Sequence, residues 1–283
     1  MIDLNKFHRI TSVQNSLIKK IKGLQTSGAK STKLRQENSI TVIEGVHLIE
    51  SWSTYEAIKH LKTIVISDQS LNSPEINRLI IQIQYLTTSL DLKVEFVVIE
   101  DALVKEVTEF TEANLLIGLI DIPQLNSFDV GLENIVVFDG IQDAGNVGSI
   151  LRTAAAAGYK NIICTKGTAQ IWSPKVLRAA MGAHTFLKIW DGVSPTYCIE
   201  HINVPMISTS LDASMTIYEA EKILLKNHAW IFGNEGAGVS QLLQEHSTRL
   251  FIPQDSTVES LNVGAAAAIC LFEARRLKIS QKF

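Results

Sequence analysis

Three short stretches of this sequence set polar side chains among glycines and small residues at spacings suited to chemistry. In residues 143–158, DAGNVGSILRTAAAAG, an apolar run (NIVVFDG) leads into glycines grouped around Asn146, then into an alanine run containing Arg152. Glycines between a strand and a helix let the backbone approach a ligand closely, often a phosphate. The spacing matches neither the dinucleotide fingerprint nor the P-loop. With the helix starting near Asn146, residues Val147, Ile150, Leu151, Ala154 and Ala155 form a core-facing stripe. Arg152 then lies off that stripe, one turn from Gly148, Ser149 and Ala156, which leave room beside its guanidinium. Gly158 is placed to end the helix, and Asn146 either caps it or fixes the loop. Taken alone, the segment also reads as a capped helix with a solvated arginine.

The second stretch is WIFGNEGAGVS, where a strand-like run enters Gly233, Asn234, Glu235 and Gly236, followed by Gly238. Loops at the carboxyl ends of parallel strands are where ligands bind in open α/β sheets. A carboxylate there can accept hydrogen bonds from a ribose or orient an arginine; a glycine-rich turn with a solvated glutamate is the alternative. In the third, LFIPQDSTVESLNVGAAAA, a polar loop after Pro253 brings Glu259, Ser260, Leu261 and Asn262 to the mouth of the last helix. Ser260 has the composition of an N-cap. Capping needs only one polar side chain, and two stand here. Arg178 and His184 can reach a polyanion but also read as surface residues. The seven histidines show no metal-ligand spacing, so no metal is expected.

The elements that must position these residues alternate in type along the chain. Residues 16–25, 46–58, 73–88 and 101–110 carry helical patterns; 39–45, 61–67, 93–100 and 113–121 carry strand patterns. This is one α/β unit over 1–121. Residues 122–133, with Pro123, Asn126, Ser127 and Gly131, break the rhythm and form the expected linker. From 134 to 283 short apolar runs (NIVVFDG, NIICTK, TFLKIW, VPMISTS, HAWIFGN, TRLFIPQ) alternate with helical patterns, which predicts a largely parallel sheet. The closing helix over 260–278 is apolar around most of its circumference and is expected at a dimer or domain interface.

With 283 residues, 46% hydrophobic and 19% charged, the chain has the composition of a globular protein. Cys164, Cys198 and Cys270 form no CxxC pair and read as buried free thiols in a reducing cytoplasm. The first residues hold no apolar core of signal-peptide length, and no run of apolar residues is long enough to span a membrane. Net charge is −3, yet residues 1–35 carry eight basic side chains against Asp3 alone, a local charge of +7. That segment suits phosphate contacts. Its apolar stripe (Leu17, Ile18, Ile21, Leu24) equally suits a solvated amphipathic helix.

Together the three motifs, in this order and spacing, resemble the SpoU (TrmH-type) RNA 2′-O-ribose methyltransferases of the SPOUT superfamily. Asn146-Val147-Gly148 with Arg152 matches the first motif, FGNEGAG the second and IPQDSTVESLNVGAAAA the third. ITSVQNSLIKKIKGL, Arg35 and TVIEGVHLIES resemble the substrate-binding domain preceding the catalytic domain in many members. Two positions depart from the usual pattern: Ala144, where proline is common, and Ala180, where serine is common.

The resemblance implies a C-terminal SPOUT-type parallel-sheet domain with a deep trefoil knot, behind a smaller ribosomal-protein-like α/β domain that binds RNA. It implies S-adenosylmethionine as cofactor, held by Thr209, Gly233, Asn234, Gly236, Ile252 and Leu261, and a homodimer through the catalytic domain. Arg152 would be the principal catalytic residue, with Asn146, Glu235, Ser260 and Asn262 around it. Arginine is a poor base, so its expected task is to bind the neighbouring phosphate and stabilise the developing alkoxide. Lys19, Lys20, Lys22, Arg35 and Arg178 would contact RNA, ribosomal RNA before tRNA. An antibiotic-resistance methyltransferase and a non-catalytic ribosome-assembly factor are the alternatives.

Overall fold

The computed structural model describes residues 2–26, 28–108, 114–125 and 127–281. Asn126 of the expected linker and the last residues of the expected 101–110 helix lie outside that range. By packing, the chain divides into two units: Met1–Gln124 with Trp172–Thr185, and Leu125–Ile171 with Phe186–Phe283.

The first unit is built on strands β1 (Phe7–Ile10), β2 (Ile40–Glu44), β3 (Leu61–Ser67), β4 (Glu95–Ile99) and β5 (Leu116–Asp121), in the order β1-β4-β3-β5-β2. β4 pairs in parallel with β1 and β3, while β5 runs antiparallel to β3 and β2. Helices cover both faces. Ile18, Ile21 and Leu24 of helix Ser16–Gln25 pack on one side, and Ile76, Ile80 and Ile83 of helix Pro74–Ser89 on the other. Two expected helices are shorter than their patterns. The helix after β2 stops at Trp52, where the Ser53 hydroxyl donates to the Ile49 carbonyl, and in the described part of 101–110 a 3-10 turn, Asp101–Leu103, leads into the short α-helix Val104–Val107. Helix Ala29–Asn38 has no apolar stripe; it buries Ser31 and Arg35, so periodicity gave no sign of it.

Arg35 corrects an expectation. It is 3% exposed, and its guanidinium donates to the Leu24 carbonyl at 2.8 Å and the Thr32 hydroxyl at 3.5 Å. It ties helix 29–38 to the end of helix 16–25 and is not available to RNA. A second departure concerns the expected 134–283 domain. Segment Trp172–Thr185 packs with the first unit, because Thr41 donates to the Trp172 carbonyl at 2.7 Å and Leu177 enters the core beside Ile43 and Leu48. Arg178, half-buried on helix Pro174–Ala180, therefore belongs to the first unit.

The second unit holds β6 (Ile135–Asp139), β7 (Asn161–Thr165), β8 (Lys188–Val193), β9 (Met206–Thr209), β10 (Met215–Thr216), β11 (Ala229–Gly233) and β12 (Thr248–Phe251). Among the described residues these form one sheet, β10-β12-β9-β11-β6-β7-β8, with every pairing parallel. β6, β7 and β11 are buried along their whole length, as their unbroken apolar runs require when both faces are covered. β8 begins at Lys188, the fourth residue of the expected TFLKIW run, since Ala183–Phe186 forms a 3-10 turn. Cys164, Cys198 and Cys270 are free and buried.

Helix Ala144–Ala157 follows β6. Asp143 caps it, accepting from the Asn146 amide at 2.8 Å, and Gly158 ends it at φ 88°. Its core face is Val147, Ile150, Leu151, Ala154 and Ala157; Ala155, expected on that face, is half-buried, and Gly148 is buried as well. The final helix, Val263–Ser280, runs parallel beside it. Gly264 lies by Asn146 and Ser149 at the starts of the two helices, and Arg275 by Gly158 further along.

Candidate active site

The C-terminal ends of β9, β11 and β12 converge on a cleft of about 320 Å³. Four turns line it: residues 209–211, 233–235, 251–252 with Gln254, and 260–263. The cleft therefore sits where parallel α/β sheets bind ligands, outside the carboxyl ends of the strands. Its volume lies in the small-molecule range, at about 300 Å³ upward. Leu211, Val239, Phe251, Ile252 and Leu261 supply apolar wall, and Thr209, Ser210, Gln254 and Ser260 are among the polar residues that line it.

Two features of the β11 turn explain its glycines. Asn234 and Gly238 exchange backbone hydrogen bonds (2.9 and 2.8 Å), so the chain doubles back directly over Gly233. A Cβ on Gly233 would collide with the backbone of Gly238 and Val239. The Asn234 side chain is fully engaged inside the turn. Its oxygen accepts from the Gly236 and Ala237 amides at 2.9 Å each, and its nitrogen donates to the Gly140 carbonyl at 3.0 Å. Below, the buried Asp139 carboxylate accepts from the Ser240 amide (2.7 Å) and the Thr165 hydroxyl (3.0 Å), fixing β6 to the chain leaving the turn.

Glu235 joins this turn to the first motif. One carboxylate oxygen accepts from the Gln142 amide (3.1 Å); the other accepts from the Asp143 amide (3.1 Å) and the Asn146 Nδ2 (3.0 Å). Partial burial pushes its pKa up, but the Asn146 side chain and the backbone donors outweigh that, leaving it below the usual carboxylate value. An ionised carboxylate only accepts, so it dictates which end of the Asn146 amide faces it. The Asn146 oxygen must turn away, and it accepts from the Asn262 Nδ2 at 3.1 Å. The Asn262 oxygen is fixed in turn as acceptor for the Gly264 and Ala265 amides (2.8 and 3.4 Å), capping the final helix. One directional chain of hydrogen bonds thus connects all three motifs.

Asn262, not Ser260, is the N-cap of that helix, which begins at Val263. Ser260 is exposed and lines the cleft. The polar loop before it is held by Gln254, whose Nε2 donates to the Val258 and Glu259 carbonyls at 3.2 and 3.4 Å. Gly264 sits where a Cβ would press within 3.0 Å of the Asn262 oxygen, so the small residue lets the cap close.

Arg152 stands apart from this chain. It lies six residues beyond Asn146, about 9 Å along the helix axis, in the exposed sector with Ser149 and Ala156. Among the described residues it has neither hydrogen bond nor ion pair. Its guanidinium is presented to solvent with small neighbours on both sides.

Of the residues expected at a cofactor, Thr209, Gly233, Asn234, Ile252 and Leu261 come together in the cleft, whereas Gly236 does not line it and Gly238 does. Leu211, Val239, Phe251 and Gln254 also line it and were not anticipated. They flank the glycine and asparagine signals in sequence, but apolar residues at strand ends carry no mark that separates cleft wall from core.

Residues 133–272 match the model of the SpoU rRNA Methylase family. The chain is 28% identical over 273 residues to the 23S rRNA (guanosine(2553)-2′-O)-methyltransferase RlmP of Bacillus subtilis, covering 94% of this chain and 99% of that protein. A Synechocystis protein named an uncharacterized tRNA/rRNA methyltransferase is 30% identical over 285 residues, covering 94% of this chain and 93% of that protein. The crystal structure of an AdoMet-bound rRNA methyltransferase from Sinorhizobium meliloti superposes with a TM-score of 0.79 at 25% identity, covering 96% of this chain and 98% of that one. The chain belongs to the SpoU rRNA methylase family.

Proposed function

We propose that this chain is an S-adenosylmethionine-dependent methyltransferase that modifies a ribose 2′-hydroxyl of structured RNA, ribosomal RNA before tRNA. The observation that carries the reading is the directional Glu235–Asn146–Asn262 chain. It locks three motif loops around one cleft, beside a helix that presents an unpaired arginine. A merely solvated surface would need none of these fixed amide orientations. Family membership and relatives named as rRNA 2′-O-methyltransferases supply the reaction class.

The cleft fits the cofactor on its own features: apolar wall for an adenine, with backbone of residues 209–211, 233–234, 252 and 261 for the polar groups. S-adenosylmethionine, when bound, supplies an electrophilic methyl on a sulfonium. Arg152 binds a phosphate next to the target ribose and stabilises the developing alkoxide. Asn146, Glu235 and Asn262 position the loops and the helix that carries Arg152. Ser260, at the cleft edge, contacts the ribose. Fixing these groups before substrate arrives is the source of rate, since a misplacement of about 1 Å costs about a hundredfold.

In this reading the second unit carries the trefoil knot of its family and pairs with a second copy through the final helix, whose Phe272 and Ile279 are 47% and 43% exposed. The first unit recruits RNA, with Lys19, Lys20 and Lys22 on helix 16–25. Among the described residues no helix is long and apolar enough to cross a membrane. The test is methyl incorporation from labelled S-adenosylmethionine into 23S rRNA and into bulk tRNA, both prepared from cells lacking the gene. Label in the 2′-O-methylnucleosides of rRNA is expected. Cofactor binding without transfer to either RNA would contradict the proposal.

A further inference from the structure

The first unit contains a second cleft, of about 710 Å³, between helices Ser16–Gln25 and Ala29–Asn38. Four lysines face it: Lys19 and Lys22 from the first helix, Lys30 and Lys33 from the second, each pair spaced to share one helical face. The helices approach closely because residue 23 is glycine; a Cβ there would come within 3.0 Å of Leu34 Cδ2. Thr26 and Ser31 also line the cleft, their hydroxyls bonded to each other at 2.6 Å. Two carboxylates accompany the lysines: Glu37, 3.6 Å from Lys33, and Glu106, 2.7 Å from Lys22. Both are solvent-exposed pairs, which hold little free energy and exchange readily for another anion. Lys19 and Lys30 have no such partner among the described residues.

We infer that this groove is a phosphodiester clamp that grips the RNA backbone without reading its sequence. This rests on RNA being the substrate. Lysine supplies a flexible point charge suited to phosphate oxygens and lacks the rigid planar fork by which arginine selects a geometry. Among the described residues no aromatic side chain lines the groove to stack a base. The charge comes from both helices, and helix 29–38 supplies half of the lysines although its sequence pattern hides it. RNA is held here by charge alone, and the choice of nucleotide is made elsewhere on the protein.

The test uses the full chain carrying Lys30→Gln and Lys33→Gln together, both on the exposed side of helix 29–38. Binding is measured against salt concentration with two probes: a 23S rRNA transcript and an unrelated RNA hairpin of equal length. Removing two phosphate contacts should lower the slope of log K against log salt by about 1.4 for single strands and about 1.8 for a duplex. If affinities converge near 1 M salt, that is about a 25-fold loss or more at 0.1 M. Both probes should lose equally, while S-adenosylmethionine affinity and melting temperature stay at wild-type values. An unchanged slope overturns the clamp and leaves the lysines to an acidic protein partner. A loss confined to the rRNA transcript overturns it too, because the groove would then read sequence. Failure of the methyltransferase reading shows separately, as absent methyl incorporation by the wild-type chain.

Discussion

Replacing Glu235 with glutamine tests whether the order of the amide chain matters or only its presence. The side chain keeps its size and loses its charge, and one of its two oxygens becomes a donor. If the remaining oxygen stays on Asp143 and Asn146, the new NH2 faces the Gln142 amide and that bond is lost. If the group flips, the NH2 confronts Asn146 Nδ2, and the Asn146 amide must turn over, placing its nitrogen against Asn262 Nδ2. Either state costs at least one hydrogen bond to a charged acceptor, about 1.5–3 kcal/mol in a shielded setting. Glu235 is solvent-exposed, so about half of that is the better figure, on the order of 1 kcal/mol. The loss should appear as a reduction of about 5- to 10-fold in kcat, since each 1.4 kcal/mol is a factor of about ten.

Glu235→Ala removes all three acceptor contacts and should cost more. The acid limb separates charge from shape. The Glu235 pKa is depressed in the folded protein, so its stabilising contribution is complete above the unfolded carboxyl value of about 4.3 and is lost as pH falls through the folded value. Wild-type cleft stability, followed by S-adenosylmethionine affinity, should fall across that acid window, and Glu235→Gln should lack this component. Steady-state methyl transfer and calorimetric cofactor titration read both quantities. Wild-type kcat in Glu235→Gln, together with an acid limb identical to wild type, would refute the directional argument.

Further substitutions probe the other roles. Arg152→Ala should abolish methyl transfer while cofactor affinity changes by less than about twofold, because the side chain lies outside the cleft; collapse of cofactor binding would show that Arg152 is misplaced. Asn262→Ala removes both the cap and the bond to Asn146, and should cost about 1 kcal/mol of stability, read as a melting shift of about 2–4 °C, along with reduced kcat. Gly233→Ala should eliminate cofactor binding in a protein that still folds in its first unit, checked by calorimetry and limited proteolysis, since the turn cannot close over a Cβ. Arg35→Gln should destabilise the first unit by about 1–3 kcal/mol, through loss of a buried charged donor to the Leu24 carbonyl. It should leave the salt dependence of RNA binding intact, and a flattened salt slope would return Arg35 to the RNA contacts.

Much of the fold was legible because burial writes periodicity into sequence. Ser16–Gln25 and Leu61–Ser67 fall on the segments that their apolar spacing indicates, and the all-apolar runs became the fully buried β6, β7 and β11. Where burial is polar or slight, the signal vanished. Helix 29–38 buries a serine and an arginine, β1 buries no residue, and β10 is two residues long. Arg35 shows the limit of charge counting: a basic side chain in a basic segment turned inward to satisfy a backbone carbonyl.

At the candidate site, the motif residues were visible as types, whereas their division of labour was not. Asn146 and Asn262 look alike in sequence, yet one relays a carboxylate's preference and the other caps a helix. Ser260 and Asn262 both suit an N-cap by composition, and only the start of the helix at Val263 decides between them. The packing of Trp172–Thr185 with the first unit depends on partners more than a hundred residues away, Thr41 among them, which no local pattern encodes.

In the function proposed above, Arg152 is required for methyl transfer to ribose 2′-hydroxyls of rRNA. This requirement is tested most directly by mapping 2′-O-methylation at nucleotide resolution across rRNA and tRNA from cells with the gene, without it, and with Arg152→Ala in its place. At least one rRNA position should be methylated in the first strain and unmethylated in the other two. Identical maps in all three strains would contradict it, as would a position restored by the Arg152→Ala protein.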